Sequence, residues 1–382
     1  MNGELPKGWV WTSLENMTDI VLGQSPPSST YNEDKFGLPF YQGKSEFGLI
    51  YPIPTKWCSS PKKIAEEGDI LISVRAPVGP TNICPKKSCI GRGLAAIRGL
   101  GNINNKFILY LLRNSEEQFR NKATGTTFEA ITGNVLRNFE VPLPPLAEQQ
   151  RIVNKIEELF TNLDKGIESL EQVKYKLKIY RQAILKYAME GKLTEKWREE
   201  NKDKIDFFSY KSEESNDKLP KNWVWTSLEN IVDILDNRRI PINAEEREKR
   251  INNKDESQLY PYYGSTGQVG WIDEYIFDEE LILLGEDGAP FLDFIKDKAY
   301  LINGKSWVNN HAHVLRAIKD ISVNPFICYY LNSFDYRKYI TGTTRYKLNQ
   351  SQMKKIIVPL PPLEEQHKIV EHIEQLFSLA DY

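Results

Sequence analysis

What this sequence lacks excludes several kinds of protein at once. Four cysteines among 382 residues (Cys58, Cys84, Cys89 and Cys328) do not make a disulfide framework in a chain of this length. Cys84 and Cys89 have no second cysteine or histidine pair nearby at zinc spacing, so no metal site is expected. No apolar run approaches the length that crosses a bilayer, and Met1-Asn2-Gly3-Glu4 lacks the basic and apolar regions of a signal peptide. The expected compartment is the cytoplasm. Excess charge of either sign is absent too, the net formal charge being −2. Residues 1–146 hold 16 basic and 13 acidic side chains and residues 217–363 hold 19 and 20, so neither stretch is a basic domain. That disfavours non-specific coating of DNA, which depends on many phosphate contacts, but leaves room for sequence reading by a few well-placed groups.

Catalytic sets are missing as well. A self-contained DNA methyltransferase needs a glycine-rich cofactor loop and an Asn/Asp-Pro-Pro-aromatic tetrad; Asn324-Pro325-Phe326 lacks the second proline. There is no Gly-x-x-x-x-Gly-Lys-Ser/Thr phosphate cradle and hence no ATP-driven motor. The carboxylates of Asp278-Glu279-Glu280 carry no nuclease-type spacing. No reaction of its own is expected of the chain.

What is present is a repeat. The stretch from Leu5 to Asn16 returns almost unchanged from Leu219 to Asn230, Thr124-Gly125-Thr126-Thr127 returns as Thr341-Gly342-Thr343-Thr344, and Pro142-Leu143-Pro144-Pro145-Leu146 returns as Pro359-Leu360-Pro361-Pro362-Leu363. A period of more than 200 residues makes each copy a whole domain and not a solenoid unit.

Between the copies the pattern changes to heptads. Apolar residues recur at steps of four and three through Ile152, Ile156, Leu159, Leu163, Leu170, Val173, Leu177, Tyr180 and Ile184, with only Gly166 breaking the series. This predicts a helix roughly 60 Å long that buries one narrow seam on another helix. After the second copy, Ile369, Ile373 and Leu376 repeat the first turns of the seam. Gly191 is the expected stop. The span 174–186 carries five basic and no acidic side chains, which fits a neighbouring DNA, an acidic partner or a solvated face.

Each copy reads as mixed α+β: strands near 39–41, 50–53, 70–74 and 94–97, then helices at 107–113 and 115–122 in the first. Polar loops at their ends are the candidate DNA contacts. In the first copy these are Gln42, Lys44, Ser45, Arg75, Arg92, Lys122, Thr124 and Thr126; in the second, Asn237, Arg238, Arg239, Tyr263, Ser265, Thr266, His311, His313, Thr343, Arg345 and Lys347. Glycine beside arginine, lysine or serine allows close backbone approach to phosphate, and arginine suits guanine as glutamine or asparagine suits adenine. The alternative for each is an ordinary solvated turn. His311 and His313 share one strand face, which permits a metal pair, a polar contact with DNA or structural hydrogen bonding. Arg238→Ala or Arg345→Ala is expected to weaken one half-site by ~1–3 kcal/mol.

Tandem variable domains, each opening with Leu-Pro-x-x-Trp and closing with Pro-Leu-Pro-Pro-Leu-x-Glu-Gln before a heptad helix, resemble the specificity subunit of type I restriction-modification enzymes. The resemblance covers nearly the whole chain. It implies two target recognition domains (1–146 and 218–362), a long coiled-coil spacer helix (147–200), a linker (201–217) and the start of a second spacer helix (363–382). It further implies double-stranded DNA as ligand, a bipartite site, two modification (methyltransferase) subunits and restriction (motor-nuclease) subunits as partners. S-adenosylmethionine, ATP and Mg would then sit on those partners and no cofactor on this chain. One departure stands out: the second copy stops at Asp381-Tyr382, so the counterpart of residues 166–193 is missing. Either the chain is truncated there or the bare seam is covered by a partner or by self-association. The competing functions are a protein-binding scaffold without DNA readout and the specificity module of a two-component type II enzyme.

Overall fold

The computed structural model describes residues 4–125, 129–201 and 219–380, and the chain splits into two compact units, Met1–Glu168 and Ser169–Tyr382. Thr126 and the expected linker lie outside the described residues, save Asn201, which closes a short helix Glu195–Glu200.

Both units are built on the same antiparallel sheet. In the first, strands Thr18–Leu22, Leu94–Gly99, Ile70–Ser73 and Thr81–Ile83 pair in that order; in the second, Val232–Ile234, Ala312–Ala317, Leu281–Gly285 and Ala299–Ile302 do. The central strands are mostly apolar, with runs such as Ile70–Ile72, Leu94–Ile97 and Leu281–Leu284, because both faces are covered. Ile70, Ile72, Ala95 and Ile97 face a helix, Asn105–Asn114, through Phe107, Ile108 and Leu112. Leu71, Leu94 and Ala96 point the other way, toward Tyr41 and Ile90 of a second sheet. Ile282, Leu284 and Leu315 against helix Asn324–Ser333, with Leu281, Leu283 and Val314 on the reverse side, repeat the arrangement. Alternation at a period of two thus supplies two cores from one strand, each fully buried Ile or Leu contributing about 1.5–3 kcal/mol relative to exposure.

The second sheet of each unit contains one parallel pair. Leu38–Tyr41 runs beside Ser88–Ile90, and Tyr260–Gly264 beside Lys305–Val308. The expected strand at 50–53 is absent. Pro52 and Pro54 have no N–H to donate to a ladder, and the segment turns instead, with Gly48 N–H donating to Tyr51 O (3.2 Å) and Ile53 N–H to Glu46 O (2.8 Å).

The repeated Pro-Leu-Pro-Pro-Leu segment closes each unit. Strand Glu140–Leu143 pairs with Val10–Ser13, and Ile357–Leu360 with Val224–Ser227. The glutamine that follows does the same work twice. Gln149 accepts from Asn104 N–H (3.2 Å) and donates to Pro144 O (3.0 Å), while Gln366 accepts from Val323 N–H (3.1 Å) and donates to Pro361 O (3.0 Å). Each ties the turn to the start of the sheet-covering helix.

The long helix spans Leu146–Met189, 44 residues. It ends at Gly191, φ +72°, where Lys192 N–H donates to Tyr187 O (3.1 Å) and Gly191 N–H to Ala188 O (2.9 Å), a Schellman stop. The seam is buried at its two ends and exposed along its middle. Ile152 packs on the first core, Ile156 is half-buried, and Ile184 is buried in the second core with Ile369 and Ile373, against which Leu376 packs. Leu159, Leu163, Leu170, Val173 and Tyr180 are all at least half exposed, and Leu177 is half-buried. The helix Leu363–Ala380 shares one core with Ile184, Leu185, Ala188 and Met189 of the long helix, and Arg181 lies over the Phe377 ring (4.9 Å).

Candidate nucleic-acid interface

In each unit the polar loops meet at one end of the two sheets, stitched by backbone hydrogen bonds. In the first, Gly91 N–H donates to Tyr41 O (2.8 Å), Val74 to Gly93 O (2.9 Å), Ala76 to Glu129 O (2.9 Å) and Ile131 to Val74 O (3.0 Å). In the second, Asn309 donates to Tyr263 O (3.0 Å), Glu286 to His311 O (2.8 Å), Gly288 to Tyr346 O (3.0 Å) and Leu348 to Glu286 O (2.7 Å). The four bonds correspond one to one. They bring together loops far apart in sequence, and most of the candidate residues stand on them.

In the first cluster, Gln42, Lys44, Ser45, Arg75, Arg92 and Thr124 are exposed. Arg92 N–H donates to Ser25 Oγ (3.2 Å), which fixes its backbone and leaves the guanidinium open. The Ser45 hydroxyl donates to Glu46 (2.9 Å), whose other carboxylate oxygen accepts from the N–H groups of Gln42 (3.2 Å) and Gly43 (3.0 Å). Lys122 is exposed with its ammonium 5.0 Å from the Phe139 ring. Lys44, Arg75, Arg92 and Lys122 make no ion pair among the described residues.

The second cluster is wired differently, and several expected contacts are corrected. His313 is 1% exposed, with Nδ1 2.6 Å from Asp236 and Nε2 2.8 Å from Leu348 O, so it is a structural group and not a DNA contact. His311 lies outside the strand and binds Asp287 instead (Nδ1 to Oδ1, 2.7 Å), so the two histidines do not form a metal pair. Arg239 is nearly buried, donating to Glu286 (2.8 Å) and Ala312 O (2.7 Å). Arg238 is held by Glu279 (3.2 Å) and Ile276 O (3.1 Å) over the Phe277 ring, which spends the guanidinium expected to read bases. Lys347 pairs with Glu286 (3.2 Å) and Arg345 with Asp287 (3.0 Å). Asn237, Thr266 and Thr343 are exposed; Tyr263 and Ser265 are half-buried beside the turn at Gly264, whose carbonyl accepts from Tyr300 OH (2.5 Å).

Asp236, Glu286 and Asp287 organise this cluster, and no local pattern marks them, because each acts through partners brought from far along the chain. Asp236 accepts from His313, from Val314 N–H (2.8 Å) and from Gln350 (2.9 Å). Burial pushes its carboxyl up, but the hydrogen bond and charge of His313 outweigh this and hold it below the usual value of 3.8. A depressed folded value means that Asp236 contributes stability above pH 3.8, lost as pH falls through the folded value. Asp236→Asn should therefore be less stable than wild type at pH 7, with the gap closing below about pH 4, a difference that urea titrations across that range measure.

Comparison with known proteins agrees with this duplicated architecture. The model of the type I restriction modification DNA specificity domain matches residues 6–175 and again 220–381. The chain is 44% identical over 181 residues to the putative MjaX specificity subunit of Methanocaldococcus jannaschii, covering 46% of this chain and 43% of that one. It is 24% identical over 403 residues to the EcoDI specificity subunit of Escherichia coli, covering 99% and 83%. The chain thus spans less than half of the first relative's length and most of the second's. A crystal structure of the HsdS subunit from Thermoanaerobacter tengcongensis is 47% identical over 43% of this chain and 40% of its own, with a TM-score of 0.40. With one match on each unit and most of its length accounted for, the chain belongs to the type I restriction modification DNA specificity domain family.

Proposed function

We propose that this chain is the sequence-reading subunit of a type I restriction-modification complex, each unit reading one half of a bipartite DNA site. The observation that carries it is the duplicated loop cluster, one wiring diagram built twice with different side chains on its rim. Relatives named as specificity subunits of type I restriction enzymes support the same reading. The long helix sets the distance between half-sites and, with the basic stretch 174–186, docks two modification subunits; restriction subunits join through them. The chain does no chemistry, and S-adenosylmethionine, ATP and Mg belong to the partners. It works in the cytoplasm. A methyltransferase takes its target base out of the stack, so a separate reader on neighbouring base edges is a sensible division of labour.

The test is methylation mapping in cells that express the chain with its modification subunit. Replacing residues 1–146 by another family member's first unit should change one half-site and leave the other and the gap intact. Methylation that stays put after either unit is exchanged would refute the proposal.

A further inference from the structure

The shared wiring fixes which positions correspond, and at one corner the two clusters carry opposite charges. Arg75 forms an isolated bridge with Ala130, which also bridges Thr124; Asp287 forms one with Lys347, which also bridges Thr341. Together with the four matching backbone bonds, this makes Asp287 the counterpart of Arg75, Glu286 of Val74 and Lys347 of Ala130. Where the first unit has an exposed guanidinium that makes no ion pair among the described residues, the second has a carboxylate. The second unit's guanidinium stands across the bridge instead. Arg345, four residues after Thr341, is 65% exposed and donates through Nη2 to Asp287 Oδ1 (3.0 Å). Four residues after Thr124 comes Phe128, which lies outside the described residues.

We propose that Arg75 and Arg345 are the base-reading arginines of the two half-sites, each addressing a guanine, and that Asp287 is the positioning residue for Arg345. This rests on the DNA-reading function above. A guanidinium offers five donors in a rigid fork, and the N7 and O6 acceptors of guanine take two of them. Arg75 needs no further support, because the bridge to Ala130, closed by Ala76 N–H to Glu129 O and Ile131 N–H to Val74 O, fixes its backbone. Arg345 sits on a turn, and one edge of its fork is held by Asp287, itself only 21% exposed and braced by His311 Nδ1 (2.7 Å). Gly288, φ +68°, lies under the fork, where a Cβ would come within 3.3 Å of Nε. The donors away from Asp287 remain open.

The other charges of this corner do not compete for the role. Glu286 absorbs Arg239 (2.8 Å) and Lys347 (3.2 Å), and Arg238 is held by Glu279. Asp287 Oδ1 accepts from Arg345 and faces His311 Nδ1. A fork fixed on one edge loses less freedom on docking than a free one, which is what a positioning carboxylate supplies.

The experiment is selection from a fully randomised duplex library by the full chain, with sequencing of the retained DNA. Wild type should enrich two half-sites, each containing a guanine. Arg75→Ala should lower the preference at one guanine of one half by roughly ten-fold, and Arg345→Ala should do the same in the other half only. Asp287→Asn should relax the same position as Arg345→Ala, with partial rescue by Asp287→Glu; a merely structural residue would lower recovery without changing the motif. Two results overturn the proposal while leaving DNA reading intact: an unchanged motif with a general fall in recovery, which marks phosphate contact, or an Asp287→Asn effect at a position Arg345→Ala does not touch. Enrichment of no sequence by wild type would remove the DNA-reading function itself.

Discussion

Arg198→Met should destabilise the second unit by about 3–5 kcal/mol, the cost of leaving a buried carboxylate without its charge partner. Glu365 is fully buried. Its oxygens accept from Thr194 Oγ1 (2.6 Å), Trp223 Nε1 (2.9 Å) and the Arg198 guanidinium, which also donates to Gly191 O (2.7 Å) and lies over the Trp223 ring. One carboxylate thus joins the end of the long helix, the segment after it, the opening Leu-Pro-x-x-Trp motif and the first turn of the last helix. Combining Arg198→Met with Glu365→Gln should recover much of the loss, because removing both charges is far less costly than removing one. The first unit supplies an internal control. Its counterpart Glu148 is only half-buried, and Trp9 Nε1 has no partner among the described residues. Glu148→Gln should change stability by no more than about 0.5 kcal/mol. Urea unfolding of the full chain followed by tryptophan fluorescence measures all three. A loss under 1 kcal/mol for Arg198→Met would mean that the network is ornamental.

Gly23→Ala is expected to abolish reading of the first half-site while sparing the second. A Cβ at Gly23 would lie 2.1 Å from Gly91 O and 2.7 Å from Leu94 O, both backbone atoms of the loop that carries Arg92. The crowding continues beyond it, since a Cβ at Gly93 would meet Gln42 O at 2.4 Å. Backbone passes over backbone here without room for a methyl, so the loops must separate. Overpacking of this kind costs about 1–3 kcal/mol, and it would move Gln42 and Arg92 together. Gly43→Ala is the contrast: nothing lies within 4 Å of its Cβ position, and its φ of −170° suits any residue. It should retain both half-sites. Methylation mapping with each variant decides the matter, and a normal first half-site in Gly23→Ala would show that the loops tolerate displacement.

The exposed middle of the long helix bears on how such a chain assembles. Leu159, Leu163, Leu170 and Val173 form an apolar stripe of the sort that monomeric proteins seldom leave in water. The heptad pattern places these residues on one stripe of the helix. It was silent on what covers them.

The sequence alone determined much of what depends on neighbours along the chain, though not the turn at 50–53. The duplication was legible as repeated words, the central strands of the first unit as short apolar runs, the long helix as heptads and its end as Gly191. Family membership followed from the same short motifs, which now have physical roles in Gln149, Gln366, Trp223 and Glu365. Tertiary structure decided everything that depends on which loops meet. Arg238, Arg239, Arg345 and Lys347 look alike in sequence as cations on polar loops, yet three are spent on Glu279 or Glu286, and Asp287 holds Arg345 with its outer donors open. His313 resembles a surface ligand until Asp236, 77 residues away, closes over it. Periodicity records which face of an element is buried, because burial constrains every second or every third to fourth residue. Whether a charged side chain is free or paired is set by a single partner that the fold brings from elsewhere, and no local pattern announces it.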